Sequence, residues 1–567
     1  MPTIEFNRYY RYPELTELLK AFETEYPHLV KLISIGKSHE GRDIWLIELT
    51  SAMSGPAKDK PAFWCDGNIH ATEVSASTAV LYLLNKVCTK YGSDEEITRL
   101  METRALYLVP RLSPDGAELA LQDTPKMVRS GTKKYPYEEE DVYGLERMDI
   151  DGDGRVLNMR IQDPNGPWKI AEENPRLLKR REPGDSGGQY YRLMPEGLFH
   201  NFDGLTMRGR RTPEGLDFNR NFPNAWRQEQ EQFGAGKFPT SEPEIRACVE
   251  AITSRPNICG AITFHTYSGV HLRPPSRHAD DELPAEDLWT YKAFGKKGEE
   301  LTGYPAISNF HEFKYHPKEV ITGVFDDWIY EHQGVFAWTT EIWAPVRQAG
   351  ITDYKYIDWF RDHPFEDDVK MLEWADKELD GKGYIDWFEF EHPQLGRVEL
   401  GGWDAFYAFR NPPLKFLEKE IAPLGDWAIW QALASPKLEL RVLEIQPKEG
   451  SWLVRFAVQN SGYLPTHVTE MAKKKNLVRG VFGEISKQGS DTGIAGSLKP
   501  SWLVSGELRQ DKGQLAGWNH VSAGGFGYTL NGTDDVAIFE WVINEPGTYE
   551  LLAKHDRAGV VRETFVI

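Results

Sequence analysis

Apolar runs that suit buried strands alternate with helix patterns along the first 120 residues, and this alternation constrains the fold more than any other feature. The runs at 61–70 and 105–112 are buried-strand patterns, and the run at 73–87 has helical character. The alternation resumes between residues 242 and 343. Strands that alternate with helices usually form a sheet covered by helices. The pattern therefore predicts an α/β fold with a mostly buried sheet.

The pattern changes at about residue 436, where helical signals end. Strand runs with turn signals recur from there to Ile567, which predicts a C-terminal β-sandwich over 436–567. Residues 1–435 form the first predicted domain. Within it, residues 120–216 are rich in Gly, Pro and charged residues, and we interpret them as a long insertion. Residues 365–435 are predicted to be a helical extension.

The charge balance excludes some classes of partner. The chain has 66 basic and 86 acidic residues, a formal net charge of -20. Such a balance argues against a general binder of nucleic acid or of anionic membranes. No signal-peptide pattern and no run of 18 apolar residues is present, so we expect a cytoplasmic protein. The four cysteines form no paired spacing and are expected to be reduced.

Two candidate metal ligands, His70 and Glu73, lie three positions apart where a buried strand ends and a helix begins. One turn brings both side chains to the same side of the chain. An imidazole and a carboxylate suit zinc, which takes three protein ligands at catalytic sites. His265 ends the strand pattern at 259–265 and is the candidate third ligand. The alternatives are a surface turn for the pair and a half-buried structural histidine for His265.

Glu341 lies inside the otherwise apolar or neutral strand pattern at 335–343. A carboxylate there is costly unless it is paired or close to a metal, and beside a zinc site it is the expected general base. Asn219 and Arg220 place an amide next to a guanidinium, a pair that can bind a carboxylate. The alternatives are a structural ion pair for Glu341 and a solvated turn for Asn219 and Arg220.

Together these residues belong to motifs whose order resembles that of the zinc metallocarboxypeptidases of the carboxypeptidase A/B type, over roughly residues 8–380. The motifs are His70-Ala-Thr-Glu73, Ser113-Pro-Asp-Gly116, Asp217-Phe-Asn-Arg-Asn221, Ser241-Glu-Pro-Glu244, Phe264-His-Thr-Tyr-Ser268, Gly323-Val-Phe-Asp-Asp-Trp328 and Thr340-Glu341. The resemblance implies a zinc exopeptidase with a central mixed sheet of about eight strands flanked by helices. It makes residues 1–435 a carboxypeptidase-like catalytic domain.

The resemblance also implies roles for individual residues. Carried over by motif, these are zinc ligation by His70, Glu73 and His265, general base and acid catalysis by Glu341, and binding of the substrate carboxylate by Asn219 and Arg220. Tyr267 would line the cleft near the third ligand. Many members carry an arginine just before the glutamate ligand, where this chain has Thr72.

Three further roles depend on less regular segments. The family uses an arginine between the Pro-Asp-Gly and Asn-Arg motifs to stabilise the oxyanion; the candidates are Arg160 and Arg208, and we prefer Arg160 because it lies in a predicted short strand. Tyr315 is the nearest tyrosine to the position expected to close over the substrate carboxylate. By its place in the motif, Asp326 matches the residue that lies at the base of the specificity pocket in the resembling family. A carboxylate at that position favours substrates with a basic C-terminal residue. The alternative is that Asp326 caps a helix.

An acidic turn in the insertion has the spacing of a calcium loop. Asp149, Asp151 and Asp153, followed by Gly154, match the start of an EF-hand loop. Position 12 would be Arg160 instead of glutamate, so the segment is not an EF-hand. Calcium binding, which would fix the loop that presents Arg160, and a solvated acidic turn are the two open interpretations.

The sequence therefore predicts a zinc-dependent carboxypeptidase that hydrolyses the C-terminal peptide bond of peptides or proteins. One alternative is a cell-wall peptide amidase or an endopeptidase on the same fold, which a missing carboxylate clamp would favour. Another is an inactive peptide-binding module, which loss of a zinc ligand or of the base would favour. The expected cofactors are Zn²⁺ and, at the acidic turn, Ca²⁺. The expected partners are peptide or protein C-termini, with no nucleic acid and no membrane.

Overall fold

The computed structural model describes residues 2–136, 143–316, 318–489, 500–519 and 532–567. Short parts of the predicted insertion and of the predicted sandwich lie outside these ranges. The described helices are α1 (Tyr12–Glu25), α2 (Val74–Lys90), α3 (Glu95–Thr103), α4 (Pro114–Ala120), α5 (Pro243–Thr253), α6 (Ala285–Thr302), α7 (Asn309–Glu312), α8 (Phe325–Trp328), α9 (Pro345–Gln348), α10 (Tyr356–Arg361), α11 (Phe365–Glu378), α12 (Leu414–Leu433) and α13 (Glu470–Lys474).

The described strands are β1 (Val30–Lys37), β2 (Asp43–Leu49), β3 (Ala62–Gly67), β4 (Ala105–Val109), β5 (Gly144–Arg147), β6 (Asn158–Gln162), β7 (Trp168–Ile170), β8 (Leu178–Arg180), β9 (Tyr191–Pro195), β10 (Gly197–His200), β11 (Ile258–Thr266), β12 (Val270–Arg273), β13 (Ala306–Ser308), β14 (Phe336–Ile342), β15 (Tyr384–His392), β16 (Gly396–Trp403), β17 (Leu438–Lys448), β18 (Ser451–Asn460), β19 (Phe482–Lys487), β20 (Leu503–Ser505), β21 (Arg509–Asp511), β22 (Val536–Ile543), β23 (Thr548–His555) and β24 (Gly559–Val566).

A mixed sheet of eight strands forms the centre of the first domain, in the order β1-β2-β4-β3-β11-β14-β12-β13. Its four middle strands run parallel, and antiparallel pairs lie towards the two sides. Every residue of β3, β4 and β11 is buried, as expected for strands covered on both faces. Helices α2, α6 and α12 pack together over the sheet. The predicted α/β fold with a flanked mixed sheet is confirmed.

A second sheet joins the insertion to the segment after α11. Its six strands are antiparallel, in the order β15-β16-β6-β9-β7-β8, and a small core that includes Met159 and Leu400 packs on it. The segment 365–435, predicted as a helical extension, also contains two strands that the sequence did not predict. Helices α11 and α12 are present, but β15 and β16 form a hairpin between them. The hairpin pairs with β6, a tertiary contact that helix periodicity does not reveal.

The C-terminal segment forms two four-stranded sheets, β17-β18-β22-β20 and β21-β19-β23-β24, around a shared core. This arrangement confirms the predicted β-sandwich. The sandwich contacts the first domain through buried Arg557, which donates hydrogen bonds to the carbonyls of Gln333 and Gly334. None of the described helices combines the length and apolar character that a bilayer crossing requires.

Candidate active site

Three neighbouring parallel strands, β3, β11 and β14, end at one edge of the large sheet, and the site lies at this edge. β11 pairs with β14 so that His265 lies opposite Glu341. β3 ends at Gly67, and the turn that follows carries His70 and enters α2 through Glu73. Because parallel strands present their carboxyl ends at the same edge, residues that are distant in sequence meet here.

The three predicted zinc ligands form one buried cluster. The Nδ1 atoms of His70 and His265 are 3.1 Å apart. Glu73 Oε1 lies 3.0 Å from Nδ1 of His70, and its Oε2 lies 3.1 Å from Nδ1 of His265. One ligand atom from each residue lies within 4.8 Å of the others. Two imidazole nitrogens and a carboxylate facing a common point fit the ligand set of a catalytic zinc.

Two residues outside the predicted set support this cluster. Asp217 Oδ1 lies 3.1 Å from Nε2 of His70, so the nitrogen that does not face Glu73 is hydrogen-bonded to a carboxylate. Such a contact fixes the orientation of a metal-binding imidazole. Arg129 donates from Nε to Asp217 at 3.0 Å and from Nη1 to Glu73 at 3.3 Å. The Asp217 motif pointed to this position, whereas Arg129 lies in an irregular segment without a recognisable pattern.

The electrostatics keep both buried carboxylates ionised. Burial alone would raise the pKa of Glu73, but the neighbouring His70 and His265 hold that pKa well below its usual range. Burial would likewise raise the pKa of Asp217, and cationic neighbours led by Arg129 hold it well below its usual range. Metal ligation requires carboxylates in their ionised form.

Glu341 differs from these two carboxylates. Its Oε2 is buried and has no hydrogen-bond partner within the described residues. Burial raises the pKa of Glu341 to about 7, and the nearby His265 imidazole offsets only part of this effect. A carboxyl group with a pKa near neutral can both take and return a proton. The geometry places this group on the strand beside His265.

The predicted carboxylate clamp, Asn219 and Arg220, lines the same cavity as His70 and His265 of the ligand cluster. The cavity is lined by His70, Arg129, Asn219, Arg220, His265, Leu272, Ser276, Asn309, Phe313, Lys314, Tyr315, Ile321, Val324, Asp326, Thr339 and Glu341. Asn219 Oδ1 accepts a hydrogen bond from the main chain of Phe325 at 2.9 Å, which fixes the amide. Arg220 donates to the carbonyl of Asn219 at 2.6 Å. Tyr315 lies in this lining with 48% of its surface exposed.

Asp326 lies at the buried end of the cavity with 2% of its surface exposed. Asn309 Nδ2 donates to its Oδ2 at 2.8 Å. The neighbouring Asp327 accepts from the main-chain N of Ser276 at 3.0 Å. Helix α8 begins after Val324, which has no side-chain cap, and Asp326 is its second residue, so the capping interpretation does not fit. Burial raises the pKa of Asp326.

The structure does not bring Arg160 to the site. Arg160 lies on β6, where its Nε and Nη2 donate to Glu399 at 2.9 and 2.8 Å. Its guanidinium carbon lies 4.6 Å from the ring centroid of Trp387 and 5.1 Å from that of Tyr191. The predicted short strand exists, but it belongs to the six-stranded sheet. The assignment of Arg160 to the oxyanion is therefore wrong, and Arg129 lines the cavity instead.

Tyr267 is not among the residues that line the cavity and lies beside it. Its ring meets Phe360 and Phe409 at near-perpendicular angles, with centroid distances of 5.4 and 6.3 Å. The guanidinium carbon of Arg410 lies 5.2 Å from the Tyr267 ring centroid. Arg410 Nη1 is also 3.6 Å from Glu73 Oε1. Arg410 was not predicted, because it follows the hairpin that the sequence interpretation missed.

The acidic turn forms as a compact unit away from this cavity. Ligand oxygens of Asp149, Asp151 and Asp153 lie within 4.8 Å of one another. Asp149 accepts hydrogen bonds from the main-chain N atoms of Gly152 and Gly154 at 2.6 and 2.8 Å. The three carboxylates are thus brought together, as the calcium interpretation requires, but they do not lie beside the zinc-ligand cluster.

Comparison with known proteins covers both domains. Residues 15–157 and 195–357, together more than half of the chain, match the model of the zinc carboxypeptidase family. Residues 437–566 match a domain of unknown function, DUF8731. Carboxypeptidase D of Mus musculus is 32% identical over 110 residues, which are 19% of this chain and 8% of that protein. Carboxypeptidase A1 of Mus musculus is 22% identical over 352 residues, 61% of this chain and 64% of that protein.

Among the solved structures that align with the chain are a carboxypeptidase A and a fibrinolysis inhibitor. Carboxypeptidase A from Helicoverpa armigera aligns with a TM-score of 0.39 and 16% identity, over 66% of this chain and 75% of that one. Thrombin-activatable fibrinolysis inhibitor aligns with a TM-score of 0.38 and 19% identity, over 60% and 69%. The chain spans about 8% of the length of the carboxypeptidase D relatives. By the match over its first domain, this chain belongs to the zinc carboxypeptidase family.

Proposed function

We propose that the chain is a zinc-dependent carboxypeptidase that removes the C-terminal residue from peptides or proteins. One observation supports this most: the two histidines of the ligand cluster, Glu341 and the Asn219–Arg220 pair line the same cavity. A site that cuts internal bonds has no use for a guanidinium and an amide held next to the scissile position. A free C-terminal carboxylate matches that pair in charge and in hydrogen-bond geometry.

The residues of the chain divide the work of the reaction. Asn219 and Arg220 bind the terminal carboxylate and align the last peptide bond with the ligand cluster. Glu341 accepts a proton from the attacking water and returns it to the leaving amine. Arg129 stabilises the negative charge that develops on the scissile carbonyl oxygen. Zinc held by His70, Glu73 and His265 would supply a Lewis acid that polarises the carbonyl and lowers the pKa of water.

The buried carboxylate of Asp326 supports a preference for substrates with basic C-terminal residues. Asp326 is buried at the end of the cavity, and no cationic side chain lies within 4 Å of its carboxylate in the described part of the chain. An unpaired buried carboxylate is costly. The terminal Lys or Arg of a substrate would supply the missing partner.

Peptides that differ only in the C-terminal group test the proposed activity. We expect release of the last residue from peptides with a free carboxylate, loss of this activity with a chelator, and its return with zinc. A matching peptide amide should be cleaved at least about 100-fold more slowly, because the clamp loses a charged partner. Equal cleavage of the amide, or cleavage at internal bonds, would favour an amidase or endopeptidase. Peptide binding without turnover in zinc-loaded protein would favour a binding module.

We also propose that the acidic turn binds calcium. The support is the convergence of three carboxylates, Asp149, Asp151 and Asp153, within 4.8 Å. Calorimetric titration of the full chain with calcium should show a binding event that disappears in Asp151→Asn. Zinc content should be the same in this variant, because the turn is separate from the ligand cluster. An unchanged titration in Asp151→Asn would leave a solvated acidic turn as the correct interpretation.

A further inference from the structure

A segment outside the matched family stretches returns to the active site. Phe360 lies on α10, and Phe409 and Arg410 end the helical turn Ala405–Arg410, so all three follow residue 357. Their side chains surround the ring of Tyr267. The chain therefore adds its own wall to the site beyond the part that the family model describes.

Arg410 is the charged member of this wall. Its Nη1 lies 3.6 Å from Glu73 Oε1, which is an ion pair without a hydrogen bond. Its guanidinium lies over the Tyr267 ring at 5.2 Å, a cation–π contact that leaves the N–H donors in the guanidinium plane free. The side chain is 35% exposed, and within the described residues no hydrogen bond is formed by its guanidinium. Arg410 thus offers unused donors at the edge of the cleft.

A comparison with Arg129 indicates that Arg410 does more than hold the zinc-ligand candidate Glu73 in place. Arg129 donates two hydrogen bonds, to Asp217 and to Glu73, and lines the cavity. Arg410 approaches the same carboxylate oxygen from outside that cavity. A guanidinium needed only to hold Glu73 would be expected to hydrogen-bond to it.

The direction of a bound peptide indicates what Arg410 contacts. The terminal residue occupies the cavity with Asn219 and Arg220, and the scissile bond lies at the ligand cluster. The part of the substrate peptide upstream of the scissile bond must therefore leave the site along residues that contact the ligand cluster but do not line the cavity. Arg410 meets this description through its ion pair with Glu73. Phe360, which is 38% exposed, packs on the other side of the Tyr267 contact and extends the same wall.

We propose that Arg410 is a substrate-binding residue that recognises an acidic side chain within two residues upstream of the scissile bond. The carboxylate of such a peptide would accept hydrogen bonds from the free donors of Arg410, while its apolar stem packs on Phe360. This inference rests on the proposed carboxypeptidase function. Arg410 would select substrates by a side chain upstream of the scissile bond, in addition to the selection of the C-terminal residue by the cavity.

Paired peptides with Glu or Gln at each of the two upstream positions test the inference. We expect wild type to favour Glu over Gln at one position by about tenfold in kcat/KM, the worth of one charge-assisted hydrogen-bond pair. In Arg410→Gln the ratio should fall to about one while zinc content is unchanged. Arg361→Gln, an exposed residue on α10, removes the same charge nearby and should keep the ratio.

Two results would overturn the assignment. One is a wild-type enzyme that does not distinguish Glu from Gln at either position. The other is an Arg410→Gln variant that loses zinc, or loses kcat equally on both peptides, since Arg410 would then be a positioning residue for Glu73. If wild type cleaves no peptide, the proposed function fails instead. Equilibrium binding of the same peptides to wild type and Arg410→Gln then tests Arg410 on its own, and equal binding of the Glu and Gln peptides refutes its role.

Discussion

The proposed oxyanion role of Arg129, in place of the predicted Arg160, can be tested with a matched pair of variants, Arg129→Gln and Arg160→Gln. Both remove one guanidinium and keep a polar side chain of moderate length. Arg129 lines the cavity and donates to Asp217 and Glu73. Arg160 donates two hydrogen bonds to Glu399 in the six-stranded sheet. The first change should therefore reduce turnover, and the second should reduce stability.

The structure sets the expected magnitudes. Loss of one preorganised donor to an oxyanion costs about 10²–10³ in kcat, or roughly 3–4 kcal/mol of barrier. The ion pairs of Arg129 contribute less to stability, about 1 kcal/mol or below, because its side chain is 37% exposed and solvent screens them. Arg160 is 6% exposed, and removing it leaves Glu399 without its partner, at a cost of about 1–3 kcal/mol of unfolding free energy.

Steady-state kinetics on a free-acid peptide, zinc analysis and chemical denaturation of both variants separate these effects. We expect Arg129→Gln to lose turnover with zinc retained, and Arg160→Gln to unfold at lower denaturant with kcat/KM within about twofold of wild type. The reasoning is refuted if Arg160→Gln, still folded, loses turnover as strongly as Arg129→Gln. It is also refuted if Arg129→Gln keeps normal kcat.

Other parts of the molecule make equally direct predictions. Because burial raises the pKa of Glu341 to about 7 and only its ionised form accepts a proton, kcat/KM should fall about tenfold per pH unit below an apparent pKa near or below 7, as a pH–rate profile would show. Asp326→Asn should lower kcat/KM about tenfold for peptides ending in Lys and leave peptides ending in Leu unchanged, because only the former lose a charge partner. Arg557→Met should lower the free energy of unfolding by about 2–5 kcal/mol, since the carbonyls of Gln333, Gly334 and His467 each lose one hydrogen bond. Calorimetry should measure this loss, and the control variant Arg562→Met, at an exposed position, should have the unfolding free energy of wild type.

The meeting of the zinc-ligand cluster with Glu341 was predictable because all four residues follow strong local patterns. His265 and Glu341 end or interrupt buried strand runs, and His70 and Glu73 follow another such run. Once those strands are parallel neighbours, the register alone places His265 beside Glu341. Local pattern and topology agree here, so the sequence alone was sufficient to predict that these side chains lie together.

The two arginines were not predictable for the opposite reason. Arg129 lies in an irregular stretch between α4 and β5, and Arg410 ends a turn after a hairpin. Each reaches Glu73 only through tertiary packing. The Arg160 assignment failed in an instructive way, since its local structure was correct. A strand pattern identifies a strand but does not say which sheet it joins.

The six-stranded sheet connects these observations. Its strands lie almost entirely outside the matched stretches 15–157 and 195–357, and its β6 and β16 pair so that Arg160 lies opposite Glu399. The chain leaves β16 through Asp404, whose carboxylate accepts from the first residues of the turn Ala405–Arg410. The added sheet thus anchors the turn that carries Arg410.

The acidic turn is linked to Asp404, the residue that precedes the turn Ala405–Arg410. Arg155 reaches Asp153 at 3.2 Å and Asp404 at 3.6 Å, so one guanidinium lies between the proposed calcium ligands and the cap of the Arg410 turn. A calcium ion would draw Asp153 into its coordination shell and compete with Arg155 for that carboxylate. Arg155 would then be free to pair more closely with Asp404. Calcium should therefore change the selection of upstream acidic residues by Arg410 and leave zinc content unchanged, because among the described residues no hydrogen bond or ion pair joins this turn to the ligand cluster.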